Sequence, residues 1–330
     1  MKIAVIGAGS WGTVLSQILA DNGHEVWLWA RSGAKAEEIR RTRCNAAYVP
    51  SVRLAESVQV TNNLADAVTG SRVLVFVVPS KGMAAVAAQA AWWTDARQQI
   101  VLSCTKGFDL SSHKFMTQIL QETFPQAEAI AVLSGPNLAR EIGAKQPAAT
   151  VIACAHVAKA RFLQKCFMND YFRPYISRDV VGVELCGCCK NCIALVGGML
   201  SGLGFGENSE AGLITRGLAE MARLGVKLGA RRATFSGLAG MGDLIATCTS
   251  PLSRNRTAGK ALAQGKTLDE ITGSTSMVIE GINATPVVRE LARQHQVEMP
   301  IIEQLYQVLF QKKQVQQAIC ELMRRSGKKE

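Results

Sequence analysis

The sequence predicts an α/β protein with an N-terminal doubly wound parallel sheet followed by an all-α C-terminal domain. Three observations point there. Short apolar, β-branched runs alternate with helix-compatible stretches through the first half, the rhythm of strands joined by crossover helices. Beyond about residue 178 that rhythm stops and long stretches of helical spacing take over. The 330 residues, 48% hydrophobic and 19% charged, suit about two domains with a substantial core. The expected division is residues 1–179 and 180–330.

The first strand, Lys2–Ile6, is a short apolar run of the kind buried on both faces of a parallel sheet. Gly7, Gly9 and Gly12 follow at G-x-G-x-x-G spacing, and 13–20 reads as a helix closed by Gly23. In a dinucleotide site the first glycine makes the tight turn. The second admits the pyrophosphate to the backbone, and the third lets helix and strand pack closely. The helix N-terminus adds unpaired N–H groups and a partial positive charge. A bare strand-turn-helix could carry the same glycines, but the second strand at 25–30 completes the Rossmann-type context.

Arg31 closes that second strand, where NAD-specific folds place an acid for the ribose hydroxyls. A guanidinium there suits a 2′-phosphate, so NADP is favoured and NAD is the second cofactor admitted. Helical sequence then runs to Thr42, and a loop is expected through Asn45 and Pro50. Further strands are read at 58–60, 72–78, 100–104, 130–133 and 149–153, with a short helix at 64–68. Pro79 ends the strand at 72–78, because proline cannot continue a central ladder. Ligands of such sheets gather beyond the carboxyl ends of the strands. That rule selects Gly7, Gly9, Gly12, Arg31, Pro79, Lys106 and Gly135.

The formal net charge is +11, compatible with nucleic acid, a membrane surface or anionic small ligands. The basic residues are scattered and lack interleaved aromatics, so nucleic acid is the weaker reading. The N-terminus reads as the start of a folded unit rather than a secretion signal. The most apolar segment, 192–206, is short and glycine-rich for a membrane span, so no integral membrane segment is expected. Ten irregularly spaced cysteines fit a reducing cytoplasm better than a disulfide framework.

In the second half, helices are expected over 180–203, 210–228, 256–264 and 280–322. Cys186, Cys188, Cys189 and Cys192 do not form two separated C-x-x-C pairs, so they read as small residues in a packed helix and no metal is expected. Lys190 lies among them, where desolvation would suit it to proton transfer; a snorkelling surface lysine is the plainer alternative. Asp243, in the glycine-rich 237–244 stretch, could orient a lysine. Arg254, with Ser253 and Asn255, suits a phosphate.

Taken in order, GAGSWG at 7–12, SCTKG at 103–107, SGP at 134–136, KN at 190–191, GMGDL at 240–244, SRN at 253–255 and VIEG at 278–281 resemble the bacterial NAD(P)-dependent sn-glycerol-3-phosphate dehydrogenases. The resemblance covers nearly the whole chain. It implies cofactor contacts at Ser10, Trp11, Arg31, Lys106, Ala139, Arg254, Val278 and Glu280. It implies substrate contacts at Lys106, Gly135, Asn137, Lys190, Asp243, Ser253, Arg254 and Asn255, with Lys190 as proton donor and acceptor. The implied reaction is reversible hydride transfer between NAD(P)H and dihydroxyacetone phosphate, giving sn-glycerol 3-phosphate for phospholipid synthesis. A homodimer is also implied; the sequence itself specifies no oligomeric state.

Two positions depart from the family pattern. Asn137 stands where Ser or Thr usually follows SGP, and cysteines flank Lys190 where Gly, Ala or Val are common, which would make that helix oxidation-sensitive. Lys106 and Lys190, if brought to one site, would each lower the other's pKa, with Asp243 opposing the shift. A β-hydroxyacid or 6-phosphogluconate-type dehydrogenase shares the overall plan but leaves GMGDL with SRN unexplained. A non-catalytic NADP sensor would keep the glycines but has no need of Lys190 and Asp243.

Overall fold

The computed structural model describes residues 1–274 and 278–327. The chain divides into two compact units, residues 1–109 with 114–183, and residues 110–113 with 184–330. The division falls inside the helix Val180–Gly202, between Val183 and Glu184.

The first unit is built on ten strands: β1 Lys2–Ile6, β2 Glu25–Trp29, β3 Cys44–Asn45, β4 Val49–Arg53, β5 Val58–Thr61, β6 Val73–Phe76, β7 Ile100–Ser103, β8 Ala129–Ser134, β9 Ala148–Cys154 and β10 Phe172–Ser177. Eight form one sheet in the order β10-β9-β8-β7-β6-β1-β2-β5. Alternate residues of β1 feed two cores. Ile3 and Val5 pack with Val14, Leu15 and Ile18 of the helix Ser10–Asp21 on one face. Ala4 and Ile6 pack with Met83, Ala87 and Leu120 on the other. Helices covering both faces explain why these strands are apolar throughout rather than alternating.

Three features differ from the sequence expectation. The sheet is not wholly parallel: β8 and β9 are antiparallel, and β10 runs parallel to β9. The connection between β8 and β9 carries only the short helix Ala139–Gly143, enough to turn the chain back beside itself. β10 is a strand beyond those expected, and its Pro174 is tolerated because β10 is an edge with β9 as its single neighbour. The stretch expected as a loop through Asn45 holds the antiparallel hairpin β3–β4.

The second unit is helical. The longest helices are Val180–Gly202 and Glu207–Lys227, and the helix expected over 256–264 is Arg254–Ala263. The single helix expected over 280–322 is three: Glu280–Gln294, Pro300–Phe310 and Val315–Met323. Pro300 starts the middle one at a position where its missing N–H costs nothing. Residues 192–202 of the apolar segment belong to the longer helix Val180–Gly202. As one continuous helix it has the length and hydropathy of a membrane segment, but 89% of its apolar window is buried inside the protein, as befits a core helix.

Candidate active site

In the first unit the glycines behave as their spacing predicts. Gly7 adopts φ +124°, and a Cβ there would lie 2.5 Å from the Val77 carbonyl oxygen. A Cβ at Gly12 would lie 1.9 Å from the Gly7 oxygen, so only glycine lets the helix seat on the strand. Gly9 is different: nothing stands within 4 Å of where its Cβ would be. That openness leaves the backbone there approachable. Ser10 and Trp11 begin the helix Ser10–Asp21, whose first turn has no side-chain cap. The Trp11 indole N–H is buried and has no hydrogen-bond partner among the described residues, a donor that a bound polar molecule would satisfy. Arg31 lies exposed just past β2. These residues fit a dinucleotide with a 2′-phosphate.

At the ends of β7 and β8, Lys106 Nζ donates to the Gly135 carbonyl at 2.8 Å. Asn137 Nδ2 donates to Thr150 Oγ1 at 3.1 Å, and that hydroxyl donates to the Ser134 carbonyl. Asn137 Oδ1 and Ser134 Oγ are buried without partners among the described residues, so this rim keeps polar capacity in reserve. Ala139 begins the short helix that follows.

In the second unit Lys190 is buried, not snorkelling, at 6% exposure. Its Nζ donates to Asp243 Oδ1 at 2.5 Å and to Thr247 Oγ1 at 2.7 Å. Thr247 sends its own proton to the Asp243 carbonyl at 2.6 Å, so its lone pair is left to face the ammonium. Asp243 starts the helix Asp243–Thr249 directly after a π-helical turn, Leu238–Gly242. Gly240 makes that turn possible, since a Cβ there would strike the Phe235 carbonyl at 2.1 Å. Thr247 was missed in the sequence, although its i+4 spacing from Asp243 is a readable signal.

Ser253 caps the helix Arg254–Ala263, accepting from Arg256 N. Arg254 reaches the Val278 carbonyl at 2.9 Å. Asn255 is buried: its Nδ2 donates to Asn191 Oδ1 at 2.9 Å and its Oδ1 accepts from Gly281 N at 3.0 Å. Three helices are thereby pinned together beside Glu280, which opens the helix Glu280–Gln294.

Residues 2–160 match the model described as NAD-dependent glycerol-3-phosphate dehydrogenase N-terminus, and residues 179–320 match the corresponding C-terminus. The chain belongs to that family. A glycerol-3-phosphate dehydrogenase [NAD(P)+] of Citrifermentans bemidjiense is 48% identical, over all of this chain and 98% of that protein. One from Enterococcus faecalis is 44% identical, over all of this chain and 97% of that protein. The crystal structure of glycerol-3-phosphate dehydrogenase from Coxiella burnetii superposes with a TM-score of 0.93 at 36% identity, covering 98% of this chain and 99% of that one. Membership makes the chain an NAD(P)-dependent oxidoreductase and accounts for both the glycine loop and the helical second half.

The cysteines beside Lys190 lie inside the protein. Cys186, Cys188, Cys189 and Cys192 are all fully buried. Burial, then the neighbouring thiols, holds Cys189 well above the usual thiol range, and burial pushes Cys192 up to about 12. Thiols kept protonated and out of solvent are weak nucleophiles, which opposes oxidation of this helix. Among the described residues no group of three His, Cys, Asp or Glu side chains is placed to hold a metal.

Proposed function

We propose that the chain reduces dihydroxyacetone phosphate to sn-glycerol 3-phosphate, and catalyses the reverse, with Lys190 as the proton donor and acceptor. The observation that carries this is the buried Lys190, Asp243 and Thr247 cluster within the family's fold. Reduced NAD(P), when bound, supplies the hydride. Reduction leaves negative charge on the carbonyl oxygen, and Lys190 Nζ is an ammonium able to stabilise that charge and protonate it. Asp243 aims the Lys190 Nζ, and Thr247 fixes it from a second direction. In the oxidative direction the same nitrogen takes the hydroxyl proton.

Substrate phosphate is assigned to Arg254 and the helix N-terminus capped by Ser253, where a fork of donors meets unpaired N–H groups. Asn255, Asn137, Lys106 and Gly135 complete the substrate contacts. Gly7, Gly9, Gly12, Ser10, Trp11, Ala139, Val278 and Glu280 are assigned to the cofactor, with Arg31 on a 2′-phosphate. The product would serve phospholipid synthesis, in the cytoplasm, by a homodimer. Turnover of dihydroxyacetone phosphate with NADPH tests the reading directly. Its absence in well-folded protein, or equal turnover of a β-hydroxyacid with NADP, would overturn it.

A further inference from the structure

The glycine loop is gripped from outside by the hairpin β3–β4. Asn45, at 2% exposure, spends both amide protons there: Nδ2 donates to the Ala8 carbonyl at 3.1 Å and to Thr13 Oγ1 at 2.8 Å. Thr13 Oγ1 passes its own proton to the Gly9 carbonyl at 2.8 Å, and Thr13 N donates to the same oxygen at 3.0 Å. Two consecutive carbonyls of the loop are therefore committed to one side.

No peptide bond among the described residues is cis, and in a planar trans peptide the N–H points away from the C=O. With the Ala8 oxygen turned toward Asn45, the Gly9 N–H faces the opposite way. With the Gly9 oxygen turned toward Thr13, the Ser10 N–H does the same. Successive backbone N–H groups held outward make an anion-binding concavity. Their geometry is set before any anion arrives, which removes an ordering cost from binding.

We propose that Asn45 is a positioning residue for the dinucleotide, presetting the Gly9 and Ser10 N–H groups through the Ala8 and Gly9 carbonyls. The amide is suited to this because one nitrogen carries two protons; aspartate or leucine would offer none. Asn45 is itself held fast. Val49 and Val52 of the hairpin are buried in the sheet's core, Leu54 N donates to the Arg43 carbonyl, and Gln17 Oε1 accepts from Ala55 N. The inference rests on the reading that Gly7 to Gly12 receive the pyrophosphate.

Calorimetric titration with two ligands tests it without turnover. One ligand is 2′-phospho-ADP-ribose, which contains the pyrophosphate; the other is adenosine 2′-phosphate, which lacks it. Asn45→Ala should weaken the first by about tenfold, the value of one lost hydrogen bond to a charged group, and the second by less than about twofold. Thr13→Val, which keeps the buried shape and removes only the hydroxyl, should show the same selectivity at about threefold. Equal weakening of both ligands would mean a general loosening of the unit, and no change in either would mean that the loop needs no brace; each result overturns the proposal. Gly9→Val supplies the control. If it leaves 2′-phospho-ADP-ribose binding intact, the loop is not the pyrophosphate site, and both that reading and this inference fall. If Gly9→Val abolishes binding while Asn45→Ala does not touch it, the inference alone fails.

Discussion

Lys190 and Asp243 are an ion pair taken almost wholly out of water, with side-chain exposures of 8% and 2%. Such a pair is weak evidence for stability, since desolvation consumes most of the attraction, but removing one partner strands the other. Lys190→Met should therefore lower turnover by about two to four orders of magnitude while leaving cofactor affinity near wild type. It should also lower the melting temperature, because Asp243 is left unpaired. The double variant Lys190→Met with Asp243→Asn should regain much of that stability and none of the activity. A single variant keeping substantial turnover would remove Lys190 from the chemistry. Arg31 carries a second prediction at this scale. Arg31→Asp should weaken NADPH by about ten- to a hundredfold, the value of a charge-assisted contact, and spare NADH. Equal loss of both would mean that the guanidinium stacks on the adenine instead.

At the scale of single elements, the helix Val180–Gly202 shows burial overruling composition. Of the ten cysteines eight are buried, Cys44 is partly exposed and Cys320 is exposed. A thiol reagent should label Cys44 and Cys320 in the native protein and reach the rest only on unfolding. Fast labelling of Cys189 or Cys192 would contradict the packing. Glu220, on the helix Glu207–Lys227, is buried and accepts from Ile301 N at 2.8 Å and Ile302 N at 3.4 Å, capping the helix Pro300–Phe310. Burial pushes its pKa up to about 7 despite those donors. The folded state then binds a proton that the unfolded chain releases near pH 4.5, so this stability is complete below that pH and is lost as pH rises through 7. Glu220→Gln should flatten the fall in melting temperature between about pH 4.5 and 7. An unchanged pH profile would show that another group sets it.

For the molecule as a whole, stability should not depend on a metal, because hydrophobic cores on both faces of the sheet and the apolar helix Val180–Gly202 supply the burial. Exhaustive treatment with a chelator should leave the melting curve where it was. A large fall, reversed by stoichiometric zinc, would revive the cysteine cluster as a ligand set.

The sequence by itself determined the local periodicities and what they imply. Buried strands, the glycine turn and the helical second half are written in composition and spacing, because hydrophobic period and glycine placement act within a few residues. The ordered motifs also determined the family. Tertiary structure alone decided the reversal of β9 and β10, since strand direction depends on which neighbour a strand finds and not on its own residues. Tertiary structure was not needed for the three helices within 280–322, since Pro300 is a helix-start signal and the polar stretch 311–314 precedes Val315. Tertiary structure gave Asn45 its partners, because a short polar side chain in a loop carries no sign of the carbonyl it will meet across the fold.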